Sequence, residues 1–197
     1  TTESRGLGDV YKRQREVREK IGPRGEVRRA LDEDTVVAAC HRLAGEKVSA
    51  IAIAYLHAYA NPIHEHRTSE IVRSILGPDV FITCSSDILP EIREYERTST
   101  TVINAYLGPI LCEYFASLQR NLKKLGVDAP IQIMKSDGGV MSISAASQKP
   151  AYIVESGPAA GVIAATHLET TDNIITLDMG GTTAKASMIE NGQIART

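Results

Sequence analysis

Two glycines and two threonines separate two apolar stretches near the end of the sequence. The segment LDMGGTTAKASMIENG places Asp178 at the close of the first stretch. Bare backbone at Gly180 and Gly181 would let an anion approach the main-chain amides without a Cβ in the way. The hydroxyls of Thr182 and Thr183 add hydrogen-bond donors. This combination predicts a turn that binds phosphate.

The residues after the turn indicate which kind of phosphate site it would be. In one common arrangement, a glycine turn leads into a helix whose N-terminus receives the anion. Here the following TTAKASMIENGQ is rich in strand-forming residues and closes on Asn-Gly, a pair typical of hairpins. We therefore predict two strands joined by the glycine turn. The alternative without function is a tight β-turn whose threonines make local hydrogen bonds.

Three further residues complete the predicted site. Asp178 is placed to hold Mg²⁺ or its water shell, which makes it the predicted catalytic and metal-binding residue. Lys185 could reach a phosphate, although an alternating strand could also direct it to solvent. Gly157 belongs to a second glycine turn, VESGPAAGVIAA, which opens a helix of small residues. We assign Gly157 and Lys185 to the cofactor-binding set.

The preceding sequence alternates between helix and strand patterns. Helix, strand, helix and strand are predicted in turn for residues 31–47, 48–56, 60–77 and 79–86. This order is typical of a parallel α/β layer. Helical spacing then continues over residues 98–125, where Gly108-Pro109 predicts either a kink or two abutting helices.

The last third of the sequence contains short strands and turns. Residues 130–144 predict a hairpin around Asp137-Gly138-Gly139, for which we expect no role beyond the turn. Residues 151–169 predict a strand, a Ser-Gly-Pro turn and a helix. Residues 172–195 predict three short strands, with Asn191-Gly192 as a type I′ turn.

Composition excludes several classes of protein. Hydrophobic residues make up 43% and charged residues 23% of the 197 residues, and the formal net charge is −2. Charges of both signs are interspersed, so we predict no nucleic-acid surface, and no apolar run is long enough to cross a membrane. Three widely spaced cysteines fit reduced thiols in a cytoplasmic protein.

Both ends of the sequence look cut. Residues 1–14, TTESRGLGDVYKRQ, have no periodicity and resemble a translated sequencing adapter. We expect this leader to be foreign and exclude it from fold prediction. The sequence also stops directly after a predicted strand, so we expect a fragment from inside a longer gene.

Two other groups of residues could do chemistry. His57, His64 and His66 lie close together and could bind a metal, although their spacing favours capping or packing roles. The stretch REYERTST is either a salt-bridged helix start or a substrate contact. Its charged side chains are Arg93, Glu94, Glu96 and Arg97. Cys84 and Cys112 have no histidine nearby in sequence, and we predict that both are core residues.

Several of these motifs together resemble a known family. DMGGTTAKASMIENG resembles the phosphate-binding hairpin of the superfamily of actin, sugar kinases and heat-shock chaperone ATPases. With LPEIREYERTSTTVINAYLGP, IQIMKSDGGVMS and ESGPAAGV in this order, the chain is similar to the hydantoinase A and 5-oxoprolinase family. That family also contains acetone carboxylase subunits. The likeness runs from about Glu16 to Thr197.

The resemblance implies a fold and a reaction. The fold is α/β with ribonuclease H-like architecture, and the fragment would span the end of one lobe and the start of the next. The reaction is ATP-dependent opening of a cyclic amide, hydantoin or 5-oxoproline, the latter within glutathione metabolism. ATP would phosphorylate the ring carbonyl oxygen, with Mg²⁺ as the second cofactor. A hydantoinase B-type subunit or domain is the implied partner.

The resemblance also divides the chain and leaves rivals open. Residues 15–97 would end the family's N-terminal domain, and residues 98–197 would begin the hydantoinase A domain. An earlier GGT hairpin of the family has no counterpart here, so we expect this fragment to be inactive alone. The rivals are an acetone-carboxylase-type subunit, a non-catalytic nucleotide-binding scaffold and a sugar kinase, which would not explain EYERTSTTVINAYLGP.

Overall fold

The computed structural model describes residues 13–168 and 173–194, which fall into two compact units. The first unit is Thr1–Ile110 and the second is Leu111–Thr197. Residues 1–12 of the expected leader lie outside the described residues.

A parallel strand pair forms the centre of the first unit. β3 (Ala50–Ile53) and β4 (Phe81–Cys84) run parallel, with Ala50 opposite Phe81 and Ile53 opposite Cys84. The other elements of this unit are β1 (Lys20–Ile21), β2 (Val27–Arg29), α1 (Glu33–Gly45), α2 (Ile63–Leu76) and the short α3 (Ser85–Ile88). β1 and β2 form a separate antiparallel pair. The predicted helix–strand order and parallel α/β layer are confirmed.

Helices α1 and α2 share one buried core with this strand pair. The buried core consists of Val36, Cys40, Ile53, Ile71, Val72 and Cys84. Local signals mark both ends of α2: the Ile63 amide donates to Asn61 Oδ1 over 3.2 Å, and Gly77 ends the helix at φ 86°. Glycine suits that positive φ because it lacks a Cβ.

One long helix follows, α4 (Glu94–Lys124), with Pro109 inside it. Of the two alternatives predicted at Gly108-Pro109, a kink or two abutting helices, this single helix excludes the second. The helix begins four residues before the predicted start at Thr98. Gly108 is required by packing, because a Cβ there would lie 2.4 Å from the Phe81 ring. Asn104 Nδ2 donates to Thr83 Oγ1 over 2.9 Å, which ties the helix to β4.

The second unit contains two antiparallel sheets and short helices. β5 (Gln132–Met134) pairs with β6 (Val140–Ser142), which confirms the hairpin around Asp137. The chain continues through α5 (Ile143–Gln148), a 3₁₀ turn (Pro150–Ile153) and α6 (Ser156–Leu168). Phe115, Ile143 and Ala146 form the buried core of this part.

The predicted strand before α6 is wrong. Residues 150–153 form the 3₁₀ turn instead, and Ser156-Gly157-Pro158 lies within the first turn of α6. Tertiary hydrogen bonds explain the difference, because the Tyr152 carbonyl accepts from the backbone amide and the hydroxyl of Ser136. A backbone group satisfied in this way is not available to a strand ladder.

Three antiparallel strands end the described chain. β7 (Ile174–Met179) pairs with β8 (Ala184–Glu190), and β8 pairs with β9 (Gln193–Ile194). Asn191 and Gly192 both have positive φ, at 51° and 71°, as the predicted type I′ turn requires. In the part of the chain that the structure describes, no helix is long and apolar enough to cross a membrane.

Candidate functional site

The predicted phosphate turn is a β-hairpin. Met179, the last residue of β7, pairs with Ala184, the first residue of β8, and the four residues between them form the turn. The Gly180 amide donates to the Thr183 carbonyl over 2.9 Å. All four turn residues, Gly180, Gly181, Thr182 and Thr183, are exposed. The turn leads into a strand, so the hairpin prediction is confirmed and the strand–turn–helix arrangement is excluded.

The two glycines of this turn are not required by the fold of the chain. Neither has a positive φ. A Cβ added at Gly180 would lie 3.8 Å from the Thr183 carbonyl oxygen, an ordinary contact, and one at Gly181 would meet no atom within 4 Å. The open space beside the backbone is the space that an approaching anion needs. The residues present therefore fit a phosphate group.

Asp178 and Lys185 lie opposite each other next to the turn. They are directly paired across β7 and β8, so their side chains project from the same face of the sheet. Asp178 is exposed, while Lys185 is partly shielded and forms an ion pair with Glu155. Asp178 is a carboxylate that could hold Mg²⁺ together with phosphates and water.

Gly157 lies in the helix that packs on this hairpin. It follows Ser156, the first residue of α6, and α6 contacts both β7 and β8. A Cβ at Gly157 would also meet no atom within 4 Å. Glu155, immediately before α6, is the residue near this site that sequence analysis missed. Its only sequence signal was its position at the head of the SGPAAG turn.

The REYERTST stretch contains a fully buried arginine. Arg97 is 1% exposed and donates to the Tyr55 carbonyl over 2.9 Å and to Ser85 Oγ over 2.7 Å. Its guanidinium lies 4.0 Å from the Glu65 carboxylate and 5.8 Å from the centre of the Tyr59 ring. Arg93, in contrast, pairs with Glu96 at the surface.

Glu65 is the buried counterpart of Arg97, and sequence analysis did not identify it. Its carboxylate accepts hydrogen bonds from the Tyr55 amide, from both the amide and hydroxyl of Ser86, and from Ser85 Oγ over 2.6 Å. This network joins α2, the end of β3, α3 and α4. The Glu65 carboxylate is buried and accepts several hydrogen bonds, as buried polar groups in folded proteins do. Arg97 therefore fits the salt-bridged alternative for REYERTST.

The three neighbouring histidines have separate partners. His57 Nδ1 lies 3.3 Å from the Tyr59 hydroxyl, His64 Nδ1 lies 2.8 Å from Glu19, and His66 Nε2 lies 3.1 Å from Asp87. Across residues 13–168 and 173–194, no three histidine, cysteine or acidic residues form a group that could hold a metal. The structure thus gives each of the three histidines a different hydrogen-bonding partner.

The cysteines are shielded thiols. Burial raises the pKa of Cys84 to about 12, and the nearby Glu65 carboxylate acts in the same direction. Burial also raises the pKa of Cys40 and that of Cys112. A thiol that stays protonated at neutral pH is a poor nucleophile. The prediction of core positions is confirmed for Cys84, whereas Cys112 is only partly buried.

Comparison with known protein families identifies the family of this chain. Residues 97–197 match the family described as Hydantoinase/oxoprolinase, and residues 8–76 match its N-terminal region. The chain belongs to the hydantoinase/oxoprolinase family.

Curated relatives extend this assignment. The chain is 41% identical to an uncharacterised protein of Methanocaldococcus jannaschii, over 89% of this chain and 26% of that protein. It is 36% identical to the caprolactamase subunit alpha of Pseudomonas jessenii, over 91% of this chain and 27% of the subunit. It is 34% identical to the 5-oxoprolinase of Saccharomyces cerevisiae, over 88% of this chain and 14% of that protein. The chain thus spans about a quarter or less of these relatives.

Two solved structures share the fold. Nucleotide-free acetone carboxylase matches 91% of this chain with a TM-score of 0.80 and 28% identity. The ATP-dependent caprolactamase from Pseudomonas jessenii matches 88% of this chain with a TM-score of 0.72 and 35% identity. In both cases the match covers 26% of the solved chain. The mixed α/β fold predicted from sequence is therefore confirmed.

Proposed function

We propose that this chain is part of an ATP-dependent hydrolase that opens cyclic amides, and that the β7–β8 turn holds the phosphates of ATP. The observation that carries the proposal is the turn at Gly180-Gly181, where the backbone is bare although the fold does not require glycine. Relatives named caprolactamase and 5-oxoprolinase support this reaction class, because each name denotes action on a cyclic amide.

Each site residue has a distinct proposed role. Gly180 and Gly181 present main-chain amides to phosphate oxygens, and the hydroxyls of Thr182 and Thr183 donate further hydrogen bonds. Asp178 holds Mg²⁺ or its water shell. Gly157 lets the start of α6 approach the nucleotide closely, and Lys185 supplies a positive charge.

The chemistry explains why a nucleotide is needed. Amide resonance makes the ring carbonyl a poor electrophile, and ATP would supply a phosphoryl group to the carbonyl oxygen. The activated carbon would then accept water, the ring C–N bond would break with protonation of the nitrogen, and the phosphoryl group would leave as inorganic phosphate. The residues of the turn orient the transferred group and offset its charge, which is the main task of a protein in phosphoryl transfer.

The broader architecture is also part of the proposal. We infer a ribonuclease H-like fold of the actin and sugar-kinase superfamily, supported by the hairpin and its glycine turn. Residues 15–97 would belong to the N-terminal domain and residues 98–197 to the hydantoinase A domain, although the N-terminal match already begins at residue 8, within the expected leader. Relatives named as subunits support a second, hydantoinase B-type subunit as partner. Three free cysteines suit a reducing cytoplasm.

Steady-state ADP release by the complete gene product tests the proposal. Hydantoin, 5-oxoproline, caprolactam and acetone are supplied in turn, and a cyclic amide is expected to stimulate ADP release. Asp178→Ala and Thr182→Val should lower turnover by about 100-fold or more, the usual effect of removing a group that stabilises transition-state charge. Their melting temperatures should match that of the parent protein.

Two glycine variants provide a matched pair. Gly181→Ala should fold normally, because a Cβ there meets open space, yet should lower turnover at least about tenfold by obstructing the phosphates. Gly45→Ala, at the end of α1 with equally open space, should leave turnover unchanged. Stimulation by acetone alone would favour a carboxylase subunit, and absence of turnover with every compound would favour a non-catalytic scaffold. Full activity in all three hairpin variants would disprove the assignment of the turn.

A further inference from the structure

Glu155 adopts a backbone conformation that is unusual for its residue type. Its φ is 64°, in the left-handed region that residues with a Cβ rarely occupy. It stands immediately before α6, and its carbonyl accepts a hydrogen bond from the Ala159 amide over 3.4 Å. A backbone conformation this unusual often marks a functional position, so we ask what the Glu155 side chain contacts.

That contact is with the one cationic side chain of the β7–β8 hairpin. In residues 173–190, Lys185 is the only lysine or arginine. Its ammonium forms an ion pair with the Glu155 carboxylate, and it lies on the same face of the sheet as Asp178, beside the glycine turn. The Lys185 ammonium group, which could best attract a triphosphate to this hairpin, is therefore already paired with the Glu155 carboxylate.

The pair is exposed enough to exchange partners. The Lys185 side chain is 36% exposed and that of Glu155 is 60% exposed. Ion pairs so accessible to water are weak, because solvent screens them and two long side chains must be ordered. A terminal phosphate group carries up to two negative charges where a carboxylate carries one, and its oxygens accept charge-assisted hydrogen bonds from an ammonium group.

We propose that Glu155 is a built-in competitor of the nucleotide. It holds Lys185 when no nucleotide is bound, and Lys185 exchanges the Glu155 carboxylate for a phosphate oxygen when ATP binds at the turn. This inference rests on the proposed function, since it presumes that the turn binds phosphate. Glu155 acts through Lys185 and is thus a positioning residue.

Nucleotide affinity in charge-neutral variants tests the exchange. Calorimetric titration of the complete gene product with ATP should show binding tightened about two- to fivefold by Glu155→Gln, the factor that an exposed ion pair is worth. Lys185→Met should weaken ATP binding roughly tenfold or more, because a charged hydrogen bond is lost. Adenosine, which has no phosphate, should bind equally to all variants.

The double variant and a matched control isolate the pair. Glu155→Gln should have no effect in the Lys185→Met background, because the competitor then has nothing to hold. Glu190→Gln removes an exposed carboxylate from the far end of β8 and should leave ATP affinity unchanged. Glu155→Gly, which also relieves the backbone conformation, should match Glu155→Gln.

Two results would overturn the inference, and they are distinguishable. If Thr182→Val abolishes ATP binding while Glu155→Gln weakens binding or leaves it unchanged, Glu155 is a brace for Lys185 or for the loop rather than a competitor. If ATP binds to Thr182→Val as tightly as to the parent protein, the turn is not a phosphate site, and the proposed function fails together with the inference.

Discussion

Gly138 and Gly181 show two different reasons for a glycine in the same unit. Gly138 has φ 88°, and a Cβ there would lie 2.2 Å from Ile163 Cδ1, so the fold itself demands glycine. Gly181 has neither constraint. The fold therefore leaves its bare backbone unexplained, and the proposed phosphate turn would account for it.

Burial of two titratable side chains makes stability depend on alkaline pH. Burial raises the pKa of Cys84 from 9.0, and that of Tyr55 from 10.0, to about 12 in each case. The folded state therefore binds these protons more tightly than the unfolded state. Their contribution to stability is fully present below about pH 9 and is lost as pH rises from about 9 to about 12. Each group contributes a slope of at most about 1.4 kcal/mol per pH unit.

Urea denaturation of the complete gene product between about pH 8 and about pH 11 measures this slope. The Cys84→Ala variant should lose stability at every pH, because it leaves a cavity, but its decline with pH should be shallower. Equal slopes in the variant and the parent protein would show that Cys84 titrates normally.

Helices and strands were predicted correctly where several local sequence signals agreed with one another. α2 combines an Asn-Pro start, helical spacing and a Gly-Pro end, and the structure places it at Ile63–Leu76. The β7–β8 hairpin and its glycine turn were likewise predictable, because strand patterns flank the turn on both sides. Residues 150–153 were mispredicted because their conformation depends on hydrogen bonds from Ser136, which no local pattern reveals.

Helix α4 shows how spacing can identify a helix without identifying its buried face. Its apolar stripe is exposed at Val102, Tyr106, Ile110 and Tyr114. Three polar residues, Arg97, Thr101 and Asn104, are fully buried instead. Such a face is stable because its polar groups find partners, and Glu65, the partner of Arg97, lies in another helix. Sequence periodicity alone could not predict that pairing.

Removing Arg97 should therefore be costly. Arg97→Met leaves the buried Glu65 carboxylate without its counter-charge, and we expect the free energy of unfolding to fall by about 3–5 kcal/mol. Arg93→Met is the matched control on the same stretch, because Arg93 is 71% exposed. Its effect should stay within about 0.5 kcal/mol. Urea denaturation compares the two variants, and equal losses would contradict a structural role for the Glu65–Arg97 network.

Over the whole chain, the family matches extend well beyond the candidate site. The family matches include most of both compact units, whereas the proposed phosphate-binding residues all lie in the second unit. The chain spans about a quarter of the relatives it matches at 36–41% identity. One face of the β7–β8 sheet is exposed and apolar, at Ile175, Leu177, Met179 and Met188. The turn of the candidate site could thus be predicted from the local sequence. The ion pair between Lys185 and Glu155 could not, because it depends on tertiary packing.

A crystal structure of the complete gene product with a non-hydrolysable ATP analogue and Mg²⁺ tests the central claim most directly. We expect phosphate oxygens within about 3 Å of the amide nitrogens of Gly180 and Gly181, the ordinary hydrogen-bond distance, with Asp178 facing the metal. A triphosphate bound elsewhere, with the β7–β8 turn free of ligand, would contradict the account.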